Sequence, residues 1–166
     1  PFLLKRPIKN GSEKMYVVGL DIGGTKIEGV LAKVTVTVSA AAKFPLPSVV
    51  KKIRLPTDAA AGREKVLDNI VAAITSLYNY GRKNIPGFKL RGIGVGTAGF
   101  LKNGRLEMVP NIPAIRGARL KDYLQQQLRR NGIKAPLFVE NDSICFALAE
   151  FMFGAARGCK NVIGVI

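Results

Sequence analysis

The first third of the chain alternates between apolar and polar positions as short β-strands do. The run "MYVVGL" is rich in β-branched residues, which is typical of a buried strand, and "KIEGVLA" alternates as its hairpin partner would. "VVKKIRLP" predicts a third strand. Residues 33–49, which lie between the second and third runs, mix Val/Thr alternation with small residues and two prolines, and predict an extended hairpin or a loop excursion.

The apolar spacing changes to a helical period in the middle of the chain. Thr57 and Asp58 offer an N-cap for a helix that runs to about Arg82, with Gly81 as the residue that stops it. One face of this helix is apolar, through Val66, Leu67, Ile70, Val71, Ile74 and Leu77. A second, shorter amphipathic helix is predicted over "RLKDYLQQQLRR".

Strands and helices alternate in the second half of the chain. Strands are predicted at "LRGIGVG", at "LEMVP" after a loop, and at "APLFVE". The last of these leads into the helix "SICFALAEFMF", which is apolar nearly all round and is predicted to be buried, and the chain closes on the strand "NVIGVI". The order β-β-β-α-β-β-α-β-α-β predicts an α/β fold in which helices cover a mixed sheet.

Length and composition fit one globular domain. The chain has 166 residues, of which 48% are hydrophobic and 22% charged, and no apolar run approaches the ~20 residues of a membrane-spanning helix. The N-terminus has an apolar start followed by basic residues, which is the reverse of a signal peptide. Because Met15 directly precedes the first strand, we expect residues 1–14 to be an N-terminal appendage, residues 15–166 to form the domain, and the chain to be a fragment.

The net charge of +15 raises the question of a nucleic-acid partner. The surplus is spread evenly, at about +7 for residues 1–57 and about +8 for the remainder, so we expect a diffusely basic surface rather than a nucleic-acid site. The absence of histidine excludes His-based catalysis within this chain. Cys145 and Cys159 are not spaced as metal ligands, and we expect them to be reduced thiols of a cytoplasmic protein.

The glycine-rich segment "GLDIGGTKIEGVL" suggests a phosphate site, and two familiar types do not fit. Gly19 and Gly24 have the spacing of a P-loop, but Thr-Lys follows in place of Lys-Ser/Thr and the next segment is a strand instead of a helix. The segment "GVGTAG" matches a dinucleotide fingerprint, but the residues after it predict a turn and a strand where that fold requires a helix.

The third interpretation is a phosphate site in a strand-turn-strand hairpin. Gly23 and Gly24 would adopt turn conformations that bring backbone N–H groups close to a phosphate. Asp21, at the end of the first strand, could hold Mg²⁺ through water, and Thr25 and Lys26 supply a hydroxyl group and a positive charge. On this segment alone, an ordinary Gly-Gly hairpin explains the pattern equally well.

A second polar segment, "VENDSICFALAE", favours the phosphate interpretation. It places Asn141 and Asp142 at the carboxyl end of a strand, where open α/β sheets bind ligands. Asp142 could simply cap the helix that follows. As a functional residue it could accept the proton of a substrate hydroxyl that attacks a γ-phosphate.

Three segments together resemble the N-terminal part of the ROK family, which comprises sugar kinases and sugar-responsive repressors of the actin-like hexokinase superfamily. They are "VGLDIGGTKIEGVL", "GIGVGTAGFLKNGRLEMVPNIP" and "PLFVENDSICFALAEFMFGAARGCKNVIGV". The resemblance implies an actin-like, ribonuclease H-like ATPase lobe, with a mixed β-sheet flanked by helices. It also implies ATP-dependent phosphorylation of a hexose hydroxyl, as in a glucokinase.

Site residues follow from the same resemblance. It implies that the first phosphate and Mg²⁺ site for ATP consists of Asp21, Gly23, Gly24, Thr25 and Lys26. Gly99 and Asn111 would line the sugar pocket, Asn141 would bind sugar hydroxyls, and Asp142 would be the catalytic base and contact the sugar. Ile144 departs from the family pattern, because Asn is common at that position.

The family pattern continues beyond "NVIGVI" with a second phosphate loop, a Glu-and-His sugar motif and a Cys/His zinc site. None of these is in the sequence, so we expect a C-terminal lobe to be absent and the chain alone to be inactive. The resemblance also allows a homodimer of the full-length protein. The alternatives are the sugar-sensing domain of a ROK-type repressor, although fourteen residues are too few for its winged helix, and a basic nucleic-acid-binding module.

Overall fold

The computed structural model describes residues 12–37 and 46–165, which form a five-stranded mixed sheet, a small two-stranded ribbon and three α-helices. The strands are β1 Ser12–Ile22, β2 Lys26–Thr37, β3 Ser48–Pro56, β4 Leu90–Thr97, β5 Phe100–Lys102, β6 Arg105–Glu107 and β7 Leu137–Asn141. The α-helices are α1 Arg63–Asn84, α2 Leu120–Arg130 and α3 Asp142–Phe153, and two short 3₁₀ helices cover Ala59–Ala61 and Pro113–Ile115.

The main sheet has the strand order β3-β2-β1-β4-β7. The first three strands form an antiparallel meander, whereas β1, β4 and β7 run parallel to one another. The register aligns Ile22 with Thr97 and Thr97 with Asn141, so the three parallel strands end at the same edge of the sheet. The turn between β1 and β2 therefore lies at the edge where open α/β sheets bind ligands.

Helices α1 and α2 cover one face of the sheet and build the core against it. In α1 the predicted apolar face is confirmed: Val66, Leu67, Ile70, Ile74 and Leu77 are buried. In β1 alternate residues point to the same face, and Val18, Leu20 and Ile22 pack into this core. The buried apolar area, rather than intrinsic helix propensity, supplies most of the stability of these elements.

The limits of α1 differ from the prediction at both ends. The 3₁₀ helix Ala59–Ala61 separates Thr57 from α1, and Gly62 occupies the cap position without a side chain to bond the first turn. Gly81 lies inside the helix, where an added Cβ would approach the ring of Phe88 to 2.5 Å. This glycine is thus a packing requirement and not a stop, and α1 continues to Asn84.

Helix α3 is not buried, which corrects the expectation drawn from its composition. None of its residues is buried, and four large apolar side chains are exposed: Ile144, Phe146, Leu148 and Phe151. Within the described part of the chain, the helix contacts the sheet mainly at β4 and β7.

Two strand predictions also need correction. No strand forms over residues 161–165, where Ile163 and Val165 are 92% and 85% exposed, because a strand forms only beside a partner and none of the described strands lies there. The predicted strand "LEMVP" is reduced to β6, which pairs with β5. Strand β1 begins three residues before the predicted start, and β2 extends into the predicted excursion at residues 33–49.

The predicted domain boundary at residue 15 stays a prediction. Most of the expected appendage, residues 1–11, and the middle of the excursion, residues 38–45, lie outside the described residues. Among the helices that the structure describes, none has the length and apolar character needed to cross a membrane.

Candidate active site

The predicted site residues meet at the edge where β1, β4 and β7 end. Across the sheet the register pairs Asp21 with Gly96, and Gly96 with Glu140. Asn141 ends β7 and Asp142 begins α3, so the second polar segment stands two strands away from the glycine hairpin. The intervening residue on β4 is a glycine, Gly96, which allows the start of α3 to lie close to this strand.

The hairpin glycines are required by close approach, not by an unusual backbone conformation. Neither Gly23 nor Gly24 has a positive φ, so the expected turn conformation does not by itself require glycine at these positions. An added Cβ at Gly24 would lie 2.6 Å from the carbonyl oxygen of Asn111, a distance that real Cβ atoms essentially never show. The glycine hairpin and the predicted sugar-pocket residue Asn111 are therefore in direct backbone contact.

Lys26 and Arg54 flank a carboxylate at the base of the hairpin. The Nζ atom of Lys26 lies 2.9 Å from Oε2 of Glu28, and Nη2 of Arg54 lies 2.6 Å from Oε1 of the same side chain. The hydrogen bonds from Lys26 and Arg54 lower the pKa of Glu28. Because Lys26 remains about half exposed, its ammonium group is held near the turn and stays accessible to an anion.

The negative charge of Asp142 acts on the carboxylate of Asp21. Partial burial raises the pKa of Asp21, and the negative charges of Asp142 and Glu28 raise it further, while Lys26 opposes them. A cation bound beside Asp21 would offset this repulsion and favour its ionised form. Oxygen donors of this kind suit Mg²⁺, which keeps most of its waters and needs only one or two carboxylates beside substrate phosphates. The described residues contain no cluster of three or more His, Cys, Asp or Glu side chains that would hold a metal alone.

Asn141, not Asp142, caps helix α3. Its Oδ1 accepts hydrogen bonds from the backbone N–H of Ser143 at 2.9 Å, from the hydroxyl of Ser143 at 2.5 Å and from the N–H of Ile144 at 3.3 Å. Its Nδ2 donates to the carbonyl of Gly99 at 2.8 Å. The amide oxygen is thus fully used inside the protein, and the second N–H of Nδ2 is the group left for a ligand.

Asp142 is free of the capping role and lies in the first turn of α3. Its Oδ1 accepts from the N–H of Ser143 at 2.8 Å, which orients the carboxylate. The thiol of Cys145 shares this space: burial raises its pKa, and the charges of Glu140, Asp142 and Asp21 raise it further. A Cβ at Gly96 would lie 3.6 Å from the Sγ of Cys145, so α3 packs closely onto β4 at this point.

The two predicted sugar-pocket residues lie in the loops between these segments. Gly99 has φ = +103°, and an added Cβ would lie 3.0 Å from the side chain of Val109, so both conformation and packing require glycine there. Asn111 is exposed beside the hairpin. Thr25 is also exposed, at the tip of the hairpin. The nine predicted site residues therefore occupy a single edge of the sheet.

Thr57 belongs to this site and was missed as a site residue by the sequence interpretation. It is fully buried, its hydroxyl donates to the carbonyl of Gly23 at 2.6 Å, and its backbone N–H donates to the carbonyl of Thr25 at 3.0 Å. The available signal was a polar residue directly after a strand, which is equally typical of a helix cap. The long-range pairing that distinguishes the two roles is not visible in the local pattern.

The sequence and the fold of this chain are similar to those of known proteins. Residues 17–166 match the ROK family. The chain belongs to this family. A glucokinase of Thermotoga maritima is 29% identical over 154 residues, which cover 92% of this chain and 41% of that protein. The ROK hexokinase from Thermus thermophilus, a solved structure, is 31% identical with a TM-score of 0.63, over 87% of this chain and 41% of that one.

The family also contains a regulator among the relatives of this chain. A xylose repressor of Bacillus spizizenii is 28% identical over 149 residues, which cover 89% of this chain and 34% of the repressor. The chain spans about two fifths of the length of the kinases that it matches. The predicted fold, an actin-like ATPase lobe with a mixed sheet flanked by helices, is confirmed.

Proposed function

We propose that this chain supplies the first phosphate-binding motif and the catalytic base of an ATP-dependent hexose kinase of the glucokinase type. The observation that carries the proposal is the meeting of Asp21 and Asp142 at one edge of the sheet, close enough for the charge of Asp142 to raise the pKa of Asp21. A phosphate-binding hairpin and a carboxylate base are what phosphoryl transfer to an alcohol requires from a protein. The names of its kinase relatives support the same reaction class.

In this mechanism Asp142 accepts the proton of the sugar hydroxyl while the hydroxyl oxygen attacks the γ-phosphorus of ATP. The bond between the γ-phosphorus and the β–γ bridging oxygen breaks, and ADP leaves. The N–H of Ser143 holds the carboxylate in place, so the base is oriented before the substrate arrives. Asp21 would hold Mg²⁺ through water, and this ion would neutralise charge on the phosphates. Lys26 and the hairpin N–H groups would bind phosphate oxygens.

The sugar would bind between the hairpin and the start of α3. Asn111 lies on one side of this space, and Gly99 and Asn141 lie on the other. The free N–H of Asn141 would donate to a sugar hydroxyl, which is a narrower role than the sequence predicts. A polar group at such a position discriminates strongly, because a sugar without the matching hydroxyl leaves it unpaired.

We further propose that catalysis needs a C-terminal lobe. Actin-like kinases close two lobes around the nucleotide to exclude water. The exposed apolar side chains of α3 and the length of the kinase relatives support the need for this partner. A homodimer of the full-length protein stays a prediction.

The test is a fusion of the 166-residue chain to the part of the Thermotoga maritima glucokinase that lies beyond the matched region. We expect the fusion to phosphorylate glucose with MgATP, and Asp142→Asn in the same fusion to reduce kcat by at least about 1000-fold, since the base is lost while its shape is kept. The 166-residue chain alone should show no activity above an Asp142→Ala control. Activity of the chain well above that control would disprove the need for a second lobe.

A sugar-sensing role is the second candidate, and the repressor relative supports it. A sensor needs the sugar pocket but not the transfer of a phosphoryl group. Sugar binding by the fusion without any MgATP binding would favour this role over the kinase.

A further inference from the structure

Thr57 stands out because it is a buried polar residue whose two donors both reach another segment. Within residues 14–35 and 46–165, whose burial the structure describes, Thr57 and Thr97 are the polar residues that are buried as a whole. The hydroxyl of Thr97 stays local and donates to the carbonyl of Ala98. In contrast, Thr57 directs its hydroxyl and its backbone N–H across the sheet edge to the carbonyls of Gly23 and Thr25, in the glycine hairpin.

These two bonds determine where the hairpin N–H groups point. In a trans peptide unit, the C=O of one residue and the N–H of the next lie antiparallel in one plane. The described peptide bonds are all trans. Because Thr57 holds the carbonyls of Gly23 and Thr25, the N–H groups of Gly24 and Lys26 must point away from Thr57.

The remaining hairpin contacts limit any rotation of these peptide planes. The N–H of Gly23 is used inside the hairpin, where it donates to the carbonyl of Lys26 at 2.9 Å. The backbone of Asn111 packs directly on the Cα of Gly24, where a Cβ would not fit. The Asn111 loop therefore restrains the hairpin in addition to Thr57. Orienting two donors in advance removes the entropic cost of ordering them when a phosphate binds.

We propose that Thr57 is a positioning residue for phosphate binding: its hydroxyl and N–H fix the peptide planes that aim the N–H groups of Gly24 and Lys26 at a phosphate. Thr57 is fully buried, so it acts through the hairpin and not by contact with the ligand. The inference rests on the proposed function, because it assigns the hairpin to the phosphates of ATP. It goes beyond that function by assigning an effect on ligand affinity to Thr57, which bonds the hairpin but does not contact the ligand.

The experiment compares three variants of the chain by amide NMR titration with MgATP and with inorganic tripolyphosphate. Thr57→Val removes the hydroxyl at constant shape, and Thr57→Ser keeps it. Thr75→Val is the matched control, because the hydroxyl of Thr75 is buried and has no hydrogen-bond partner within the described residues. Thermal unfolding of each variant is measured in parallel, so that binding is compared between folded chains.

We expect Thr57→Val to weaken binding of both ligands by about tenfold or more, the effect of misaligning a single charge-assisted hydrogen bond. Thr57→Ser should stay within about twofold of the unmodified chain, and Thr75→Val should not change affinity. A purely structural role would lower the unfolding temperature and leave the affinity of the folded chain unchanged. Equal affinity of folded Thr57→Val and the unmodified chain would overturn the proposal and leave the kinase proposal standing.

The unmodified chain provides a second test that does not depend on a variant. On addition of ligand, the amide signals of Gly24 and Lys26 should shift strongly, and that of Gly23 should shift least among hairpin amides because its N–H is already used. The largest shift at Gly23 would refute the assignment even if Thr57→Val failed to fold. The absence of any shift both in the chain and in its fusion with the glucokinase C-terminal region would overturn the nucleotide site itself, and the proposed kinase function with it.

Discussion

At the scale of single residues, the glycines of the site show that a motif can be recognised from the sequence before the contacts that require it are known. The sequence predicts a phosphate hairpin from the order of Asp21, the two glycines, Thr25 and Lys26. It does not predict why Gly24 must be glycine, because this position is required by the Asn111 backbone and not by its own dihedral angles. Contacts between segments some 90 residues apart leave no local pattern, so this reason could not be predicted.

Gly24→Ala tests this explanation. The added methyl group would meet a backbone oxygen at 2.6 Å, and neither the hairpin nor the Asn111 loop has a flexible side chain there to move aside. We expect a loss of about 1–3 kcal/mol in the free energy of unfolding, measured by urea denaturation. Gly94→Ala is the matched control, since nothing lies within 4 Å of its added Cβ. A similar loss in both variants would contradict the close-approach explanation.

The raised pKa of Asp21 predicts how the free energy of unfolding of an Asp21→Asn variant differs from that of the unmodified chain as pH changes. Burial and the charges of Asp142 and Glu28 raise this pKa in the folded state, so the ionised carboxylate destabilises the fold at neutral pH. Asp21→Asn should therefore be more stable than the unmodified chain at pH 7. The advantage should shrink as pH falls through the raised pKa and vanish below the unfolded value of 3.8.

Glu28→Gln provides a control of opposite sign for the same urea denaturation series. Hydrogen bonds from Lys26 and Arg54 lower the pKa of Glu28, so its carboxylate stabilises the fold at neutral pH and loses this effect as pH falls below 4.5. The variant should be slightly less stable than the unmodified chain at pH 7 and equal to it in acid. If Asp21→Asn and Glu28→Gln changed the free energy of unfolding at pH 7 in the same direction, the two carboxylates would not differ in environment.

At the scale of elements, the hairpin β1–β2, strand β4 and helix α2 follow from the sequence, because their apolar periodicity reflects a local choice between strand and helix. Helix α3 is different. Its composition predicts a buried helix, yet burial depends on what the rest of the molecule places around it. The strand predicted at the end of the chain does not form for the same reason. A strand needs a partner strand, and the sequence of one segment does not show whether a partner lies beside it.

Asn141, at the N-terminus of α3, contributes both to the stability of this helix and to the geometry of the candidate site. Asn141→Ala removes both the cap and the bond to Gly99, and we expect it to lower the free energy of unfolding by about 1–2 kcal/mol. Asn141→Ser keeps a capping oxygen and loses the Gly99 bond, so it should recover about half of that loss. Urea denaturation separates the two variants, and equal losses would mean that the cap contributes nothing.

At the scale of the whole molecule, one face of the sheet is covered by packed helices and the other is not. Helices α1 and α2 build a continuous core, which explains why the described residues form a well-defined domain. On α3 the apolar side chains Ile144 and Leu148 stand one turn apart and are more than half exposed, next to the residues that would perform catalysis. An apolar surface of this kind beside an active site is typical of an interaction surface.

The difference between the buried core and the exposed face of α3 predicts different effects for a substitution in each. Leu148→Glu changes an exposed position, so it should alter the free energy of unfolding of the chain by no more than about 0.5 kcal/mol, whereas Ile74→Ala in the core should cost about 2–5 kcal/mol. In the fusion with the glucokinase C-terminal region, Leu148→Glu should lower glucose phosphorylation at least about tenfold, because a charge would be buried against the second lobe. Circular dichroism would establish that the fused variant remains folded. Full activity of the folded Leu148→Glu fusion would show that the second lobe leaves this face of α3 uncovered.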